Sequence, residues 1–224
     1  MKVVLFGGSG MIGQGVFREC LRDPDVERVV SVVRKETGTR NPKLREVVHG
    51  DFSDFSPIEP ELAGADACLF TLGVTSAGMS EEDYRRVTYD IAIAAAKTFL
   101  RLNPGSTFAF VSGAGTDSTE RGRTMWARVK GATENALLAM PFRAAYMFRP
   151  AAIQPLHGIR SRTRIYRIFY AILGPVLPLM RRLFPQYVTT TEHLGRAMIE
   201  AARRGAPKRI LESSDINMLG EKRS

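Results

Sequence analysis

Cysteine and long apolar runs are scarce in this sequence. Only two cysteines occur in 224 residues, and Cys20 and Cys68 lie far apart in apolar patterns. Neither a disulfide scaffold nor a metal site is therefore expected, and the pattern predicts a cytoplasmic protein. No uncharged apolar run reaches the length of about 18 residues that a membrane-spanning helix needs. The N-terminal run VVLF is too short for a signal peptide and predicts a first strand instead.

Acidic residues are missing from one long segment. No Asp or Glu occurs between Asn135 and Thr191. Because the formal net charge is +9, nearly all of the excess positive charge belongs to this segment, and an anionic partner would be attracted mainly there. The segment contains eight arginines, which are Arg143, Arg149, Arg160, Arg162, Arg164, Arg167, Arg181 and Arg182.

Short apolar runs alternate with helical patterns along the chain. The predicted strands are 2–6, 27–34, 44–51, 66–73, 107–113 and 144–150, and the predicted helices are 11–23, 80–102, 123–139 and 189–204. A last strand followed by a loop is predicted for RILESSDIN, residues 209–217. This alternation is typical of an α/β fold with a doubly wound parallel sheet, whose ligands bind at the carboxyl ends of the strands. The length suits a single domain over 1–224.

A glycine-rich turn follows the first predicted strand. In VVLFGGSGMIGQG the glycines at 7, 10 and 13 have GxxGxxG spacing and open the first predicted helix. Such glycines allow a tight turn, close backbone approach to a pyrophosphate, and close packing of helix on strand. The sequence therefore predicts a dinucleotide site formed by Gly7, Ser9, Gly10, Met11, Ile12 and Gly13.

The second and third strands end in charged residues. Arg34 and Lys35 follow the second strand directly, and a guanidinium suits a ribose 2′-phosphate. We therefore expect NADP(H) to be preferred, while Glu36 keeps NAD(H) open as an alternative. Asp51, which ends the third predicted strand, could accept a hydrogen bond from the adenine amino group or cap a turn.

The order of these motifs resembles that of the short-chain dehydrogenase/reductase superfamily, in particular its atypical, NAD-dependent epimerase/dehydratase-like branch. The glycine loop, Asp51, Gly73 in FTLGVT, Ser112 in FVSGAG and the strand YMFRP all occur in family order. The resemblance implies a Rossmann fold that binds NAD(P), with a small C-terminal substrate lobe. It also implies further cofactor contacts at Asp51, Phe52, Leu72, Gly73 and Lys130.

The family carries out its chemistry with Ser, Tyr and Lys. The resemblance assigns the substrate carbonyl to Ser112 and the nicotinamide ribose to Lys130, but Trp126 stands at the tyrosine position in TMWARVKGA. An indole N–H only donates and does not ionise usefully. Loss of proton transfer removes a factor of about 10²–10⁴ in rate. Other candidate proton sources are Tyr84, Thr88, Tyr89, Thr124 and His157.

Two functions are consistent with these residues. One is an NADP(H)-binding oxidoreductase or epimerase that acts on a small carbonyl or sugar-like substrate. The other, which the missing tyrosine favours, is a non-catalytic NADPH-binding redox sensor or membrane-associated scaffold.

The Arg-rich lobe, residues 151–190, has several interpretations. Its segment 156–187 could recognise an anionic substrate, lie on an anionic membrane as a peripheral contact, form a partner surface, or be an ordinary lobe with solvated arginines. A monomer or a homodimer fits equally. Nucleic-acid binding is not expected, because no recognised binding motif accompanies the charge.

Overall fold

Seven parallel strands form the centre of the structure, a computed structural model that describes residues 1–159, 177–184 and 186–221. Their order across the sheet is β3-β2-β1-β4-β5-β6-β9. A separate two-stranded sheet pairs β7 with β8. The strands are β1 (Lys2–Phe6), β2 (Arg28–Val33), β3 (Leu44–Val48), β4 (Ala67–Phe70), β5 (Thr107–Val111), β6 (Ala144–Arg149), β7 (Ala152–Gln154), β8 (Val188–Thr190) and β9 (Ile210–Glu212).

Helices cover both faces of the large sheet, because alternate strand residues such as Val3 and Val4 point to opposite faces and both are fully buried. One core contains side chains of α1, α7 and α8, and the other contains side chains of α2, α4 and α5. The helices are α1 (Met11–Arg22), α2 (Glu59–Leu62), α3 (Glu81–Arg85), α4 (Ile91–Leu102), α5 (Met125–Leu138), α6 (Leu177–Leu183), α7 (Thr191–Arg204) and α8 (Ser213–Glu221).

The doubly wound parallel sheet predicted from the sequence is confirmed, with element ends that differ by a few residues. The helix predicted over 80–102 contains a π-helical turn, Arg86–Asp90, between α3 and α4. The loop predicted after the last strand is wrong, because this segment forms α8. Asp215 Oδ2 accepts a hydrogen bond from the Glu212 amide at 2.9 Å, and buried Ile216 packs in the core beside α7. These contacts stabilise a helix that the local pattern does not indicate.

The C-terminal lobe begins and ends at the two-stranded sheet. Residues 152–154 of β7 pair in parallel with 188–190 of β8, so segment 155–187 leaves from one end of this small sheet and returns to the other. Most of the predicted Arg-rich surface, including Arg160, Arg162, Arg164 and Arg167, lies outside the described residues. The assignment of 151–190 as a substrate or partner lobe stays a prediction. Within the described ranges, no helix is both long enough and apolar enough to cross a lipid bilayer.

Helix α1 packs closely against α7, and each helix has a glycine at the contact, Gly15 in α1 and Gly195 in α7. A Cβ atom at Gly15 would lie 2.6 Å from both Cβ and the carbonyl oxygen of Thr191, and one at Gly195 would lie 3.1 Å from Val16 Cα. Both distances are shorter than a van der Waals contact. This close crossing holds the first helix, and with it the glycine loop at its N-terminus, against the rest of the fold.

We therefore expect Gly15→Ala to lower the free energy of unfolding by about 1–3 kcal/mol, because the added methyl overpacks the α1–α7 contact. Gly50→Ala is the matched control, since a Cβ there meets nothing within 4 Å. Urea unfolding followed by circular dichroism measures both variants. Equal unfolding midpoints for the two variants would show that this crossing is not tightly packed.

Candidate functional site

The glycine loop lies against the end of β4. Gly7 has a φ of +84°, and a Cβ there would be 2.6 Å from Leu72 N. A Cβ at Gly13 would be 2.0 Å from Gly7 O, while the Gly10 amide donates to that same oxygen at 2.9 Å. Each of the two clashes involves backbone atoms that no rotamer change can move. Glycine is thus required at both positions for the loop to follow this path.

The N-terminus of α1 offers amide groups that no side chain caps. Its N-cap is Gly10, without a side-chain hydrogen bond, and no acidic residue lies in its first turn. Met11 and Ile12 lie in this first turn, are partly buried and pack their side chains against the core. A set of backbone donors at the positive end of a helix fits a pyrophosphate. The tight turn that the glycine spacing predicts is therefore present, and contacts of Ser9, Met11 and Ile12 with a dinucleotide stay a prediction.

A cavity of about 410 Å³ lies beside this loop. Its lining includes the hydroxyl groups of Ser9, Ser31, Thr37 and Thr39, together with the Glu46 carboxylate. Glu46 accepts hydrogen bonds from the Thr37 amide at 3.0 Å and from its hydroxyl at 2.7 Å. The connection from β2 to β3 is thereby tied down next to the glycine loop.

Arg34, Lys35 and Glu36 are all exposed directly after β2. Their position is the carboxyl edge of the sheet, and a contact of Arg34 with the adenosine end of a dinucleotide stays a prediction.

Asp51 caps a turn, which is one of the two roles the sequence left open. Its Oδ1 accepts from the Ser53 amide at 2.9 Å and from the Ser53 hydroxyl at 2.5 Å. These hydrogen bonds lower the pKa of the Asp51 carboxyl below its usual value. The neighbouring Phe52 ring packs edge-on against Phe55, with centroids 6.0 Å apart. A contact of Asp51 or Phe52 with adenine stays a prediction.

The segment after β4 borders the same edge. Thr71 Oγ1 donates to Phe6 O at 2.8 Å and so ties the end of β4 to the end of β1. Leu72 is the residue that the glycine loop touches, whereas a Cβ at Gly73 would meet nothing within 4 Å. Gly73 therefore leaves open space next to the loop, as expected for a position that a cofactor approaches.

Ser112 and Lys130 lie in contact. Lys130 Nζ donates to the Ser112 carbonyl oxygen at 2.9 Å, which joins α5 to the carboxyl end of β5. Burial lowers the pKa of the Lys130 ammonium to about 8, and the nearby Glu134 carboxylate opposes this shift. The two residues that the resemblance assigns to chemistry are thus brought together, at the edge of the sheet where the glycine loop lies.

A buried carboxylate behind Ser112 was missed by the sequence analysis. Glu134 is fully buried and accepts a short hydrogen bond from Ser112 Oγ. The Arg149 guanidinium donates to both Glu134 oxygens, from Nε at 3.0 and 3.1 Å and from a terminal nitrogen. Arg149 also bonds Ser118 Oγ at 2.6 Å. The available signal was the spacing of Glu134, four residues after Lys130, which places both on one side of α5.

Trp126 lies in the first turn of α5, one turn before Lys130, and is partly buried. A Cβ at Gly115, in the loop after β5, would be 3.6 Å from its indole ring. The ring thus contacts the loop that Ser112 begins. No proton can be supplied from this position by ionisation of the side chain.

The other candidate proton sources have their own environments. Tyr84 is 2% exposed and Thr88 is 6% exposed. The Tyr89 ring lies 3.9 Å beneath the Arg85 guanidinium carbon. His157 Nε2 is 2.6 Å from Glu192 Oε2, at the start of α7. The role of these four residues as proton sources, like that of Thr124 at the N-cap of α5, stays a prediction.

Comparison with known proteins agrees with this architecture. The curated protein fmp52-2, mitochondrial, of Aspergillus terreus is 25% identical over 224 residues, covering 96% of this chain and 95% of its own length. Protein FMP52, mitochondrial, of Chaetomium globosum is 22% identical and covers 97% of this chain and 96% of its own length.

The fold of one solved enzyme is similar as well. DesIV of Streptomyces venezuelae, a dTDP-glucose 4,6-dehydratase solved with NAD and TYD bound, superposes with a TM-score of 0.67 at 15% identity. The superposition covers 94% of this chain and 74% of that one, so the likeness is one of fold. The expected resemblance to epimerase/dehydratase-like short-chain dehydrogenases is confirmed at this level.

A family model described as NAD(P)H-binding matches residues 7–143, more than half of the chain, and spans the glycine loop, Ser112 and Lys130. The backbone donors at the N-terminus of α1 and the open edge of the sheet are the features such a cofactor needs. This protein therefore belongs to the NAD(P)H-binding family.

Proposed function

We propose that this protein is an NADP(H)-dependent oxidoreductase or epimerase that acts on a small carbonyl or sugar-like substrate. The observation that carries the proposal is the contact between Lys130 Nζ and the Ser112 carbonyl at 2.9 Å. It places an ammonium group and a serine hydroxyl together at the carboxyl edge of the sheet, beside an uncapped glycine loop. Such a constellation serves to hold a dinucleotide and a polar substrate side by side.

The residues divide the work by position. The bound nicotinamide supplies or takes up a hydride. The amides at the start of α1 bind the pyrophosphate, Lys130 binds polar groups next to β5, and Trp126 forms part of the wall against the loop after β5. Glu134 and Arg149 fix the Ser112 hydroxyl from behind, so that the reacting centre keeps one geometry.

We expect purified protein to oxidise NADPH in the presence of at least one member of a panel of small aldehydes, ketones and keto sugars. Lys130→Met should lower turnover by about 10²-fold or more, because the charged group at the reacting centre is lost. The exposed Lys97 on α4 provides the control variant, Lys97→Met. The rate of NADPH consumption gives the turnover, and calorimetry measures the NADPH affinity separately.

The alternative is a non-catalytic NADPH-binding redox sensor or scaffold. Trp126 in place of a tyrosine supports it, because the usual acid is missing. Under this alternative NADPH binds tightly, no carbonyl compound is reduced, and Lys130→Met changes affinity only. That result with the full panel would contradict the proposed enzyme.

The cofactor preference for NADP(H) is supported by Arg34 and Lys35, which stand exposed at the end of β2. We expect Arg34→Ser to weaken NADPH binding by about tenfold or more, since a charge-assisted hydrogen bond to the 2′-phosphate is lost. NADH binding should change little. Arg40→Ser, exposed six residues further on, serves as the control. Parallel loss of NADH and NADPH affinity in Arg34→Ser would show that Arg34 does not read the 2′-phosphate.

We also propose that the described end of the Arg-rich lobe contacts an anionic membrane surface. Four large apolar side chains are exposed there, namely Met180, Leu183, Phe184 and Tyr187. Arg182 is exposed among them, and the sequence from 136 to 191 has no acidic residue. Apolar side chains combined with uncompensated positive charge suit a layer of anionic lipid headgroups. A cytoplasmic location stays a prediction, and the names of the fungal relatives refer those proteins to mitochondria.

The membrane contact predicts sedimentation of the protein with vesicles that contain anionic phospholipid, and little sedimentation with phosphatidylcholine alone. Replacing Leu183 and Phe184 with serine should reduce the bound fraction severalfold, because each apolar side chain contributes through the area it buries. The control replaces Val48 and Met218, which are exposed to a similar extent elsewhere, with serine. If both double variants bind like the wild type, this surface is not the membrane contact.

Sedimentation velocity on the same samples distinguishes a monomer from a homodimer.

A further inference from the structure

The Ser112 hydroxyl lies next to two hydrogen-bond acceptors of the protein itself. Its Oγ contacts the Glu134 carboxylate and, at 3.2 Å, the Phe148 carbonyl. Glu134 is fully buried, and the Arg149 guanidinium donates to both of its oxygens, so the carboxylate faces Ser112 as an acceptor. A hydroxyl group has one hydrogen and two lone pairs. Because the hydrogen is used on Glu134, the partly exposed Ser112 presents only an acceptor to a ligand.

Lys130 is the ionisable donor next to this acceptor. Its ammonium group has three N–H bonds, one of which is used on the Ser112 carbonyl. The Phe110 ring lies 5.7 Å from Nζ and excludes water on that side. Trp126, one turn earlier, has no titratable proton. The serine therefore differs from what the resemblance implies, because it accepts a hydrogen bond instead of donating one, and Lys130 is the neighbouring donor.

We propose that Lys130 donates the reaction's proton and that Ser112 accepts a hydrogen bond from the substrate, so the site selects carbonyl compounds with a hydroxyl group on the adjacent carbon. This inference rests on the proposed function. During reduction the carbonyl carbon gains a hydride from the reduced nicotinamide, which is oxidised. The carbonyl oxygen gains the proton of a breaking Lys130 N–H bond, and the neutral amine takes a proton from solvent. The adjacent hydroxyl donates to Ser112 Oγ throughout.

The charges around Lys130 fix the direction of the pH dependence. Glu134 on its own helix favours the ammonium form, but Arg149 at the end of β6 neutralises much of that carboxylate, and Glu212 of β9 lies 3.9 Å from Arg149. On the α3 side, Glu81 is paired with Arg128. Burial remains the largest influence and lowers the pKa of Lys130 to about 8. Reduction, which needs the ammonium, should therefore slow as pH rises through about 8, and oxidation should accelerate.

The substrate selection is tested with two matched ketones, hydroxyacetone and methoxyacetone, which differ by the hydrogen that Ser112 would accept. With NADPH we expect kcat/KM to favour hydroxyacetone by about tenfold or more, and this preference to fall to about threefold or less in Ser112→Ala. Glu134→Gln should also reduce the preference, because an amide can donate to Ser112 Oγ and turn its hydrogen outward. Should Glu134→Gln fail to fold, Ser112→Ala decides alone.

Several outcomes would overturn the substrate selection. Equal use of the two ketones by the wild type would do so, as would an unchanged preference in Ser112→Ala. Reduction of other carbonyl compounds but of neither ketone would overturn it as well, while leaving the proposed function intact. Absence of turnover with every compound would contradict the proposed function itself.

The role of Lys130 is tested without turnover by NMR of protein labelled with ¹³C at lysine. One Cε signal, absent in Lys130→Met, should titrate with a midpoint near pH 8. Lys130→Arg should retain NADPH binding and lose reduction, because a guanidinium keeps its proton over this range. A Lys130 signal that titrates with the other lysines, or a Lys130→Arg variant with wild-type turnover and pH profile, would show that another group supplies the proton.

Discussion

The glycine loop can follow its path only because a few of its positions have no side chain. The arrangement of the rest of the structure depends on that path. Gly7 and Gly13 let the backbone fold onto itself and against Leu72, and Gly15 lets α1 lie on α7. With those contacts, the N-terminus of α1 stands at the carboxyl edge of the sheet, between the ends of β1 and β4. A Cβ atom at Gly7, Gly13 or Gly15 would push the helix away from the place where its amides can meet an anion.

A second glycine contact positions α5 in the same manner. A Cβ at Gly131 would lie 1.8 Å from the Asp117 carbonyl oxygen, so the loop after β5 can approach the helix this closely only because the residue is glycine. Gly131 follows Lys130 directly, and this close approach fixes the height of Lys130 along β5. Both halves of the site thus depend on backbone contacts, one for the cofactor loop and one for the reacting centre.

The sequence predicts those parts of the site whose chemistry is local. The glycine loop follows from its spacing after the first strand, whereas the assignment of Ser112, Trp126 and Lys130 follows from the family resemblance. The sheet brings these residues to one edge as expected. The pairing of Glu134 with Arg149 was not predictable, because it depends on the rotation of α5 and on the end of β6, which are distant in sequence. Helix α8 was not predicted for a related reason. It is stabilised by the hydrogen bond of Asp215 and by the core contacts of Ile216, which the local sequence pattern does not indicate.

Contacts within the fold also reduce the number of arginines that can attract an anionic partner. Among the described residues, Arg149 neutralises Glu134 and Arg143 donates to the Ala202 carbonyl at 2.9 Å, so these two arginines serve the fold. They are therefore not available to an anionic partner. A surface prediction made from composition alone overestimates the extent of such a patch, because it counts arginines that the interior uses.

The parallel pairing of β7 with β8 has a consequence for how this lobe can vary. Two antiparallel strands can be joined by a two-residue turn, but parallel strands require a crossover of about a dozen residues or more. The connection between Gln154 and Val188 therefore has a minimum length. In a variant whose connection is shorter than that, β8 would lose its partner while the seven-stranded sheet keeps its own hydrogen bonds.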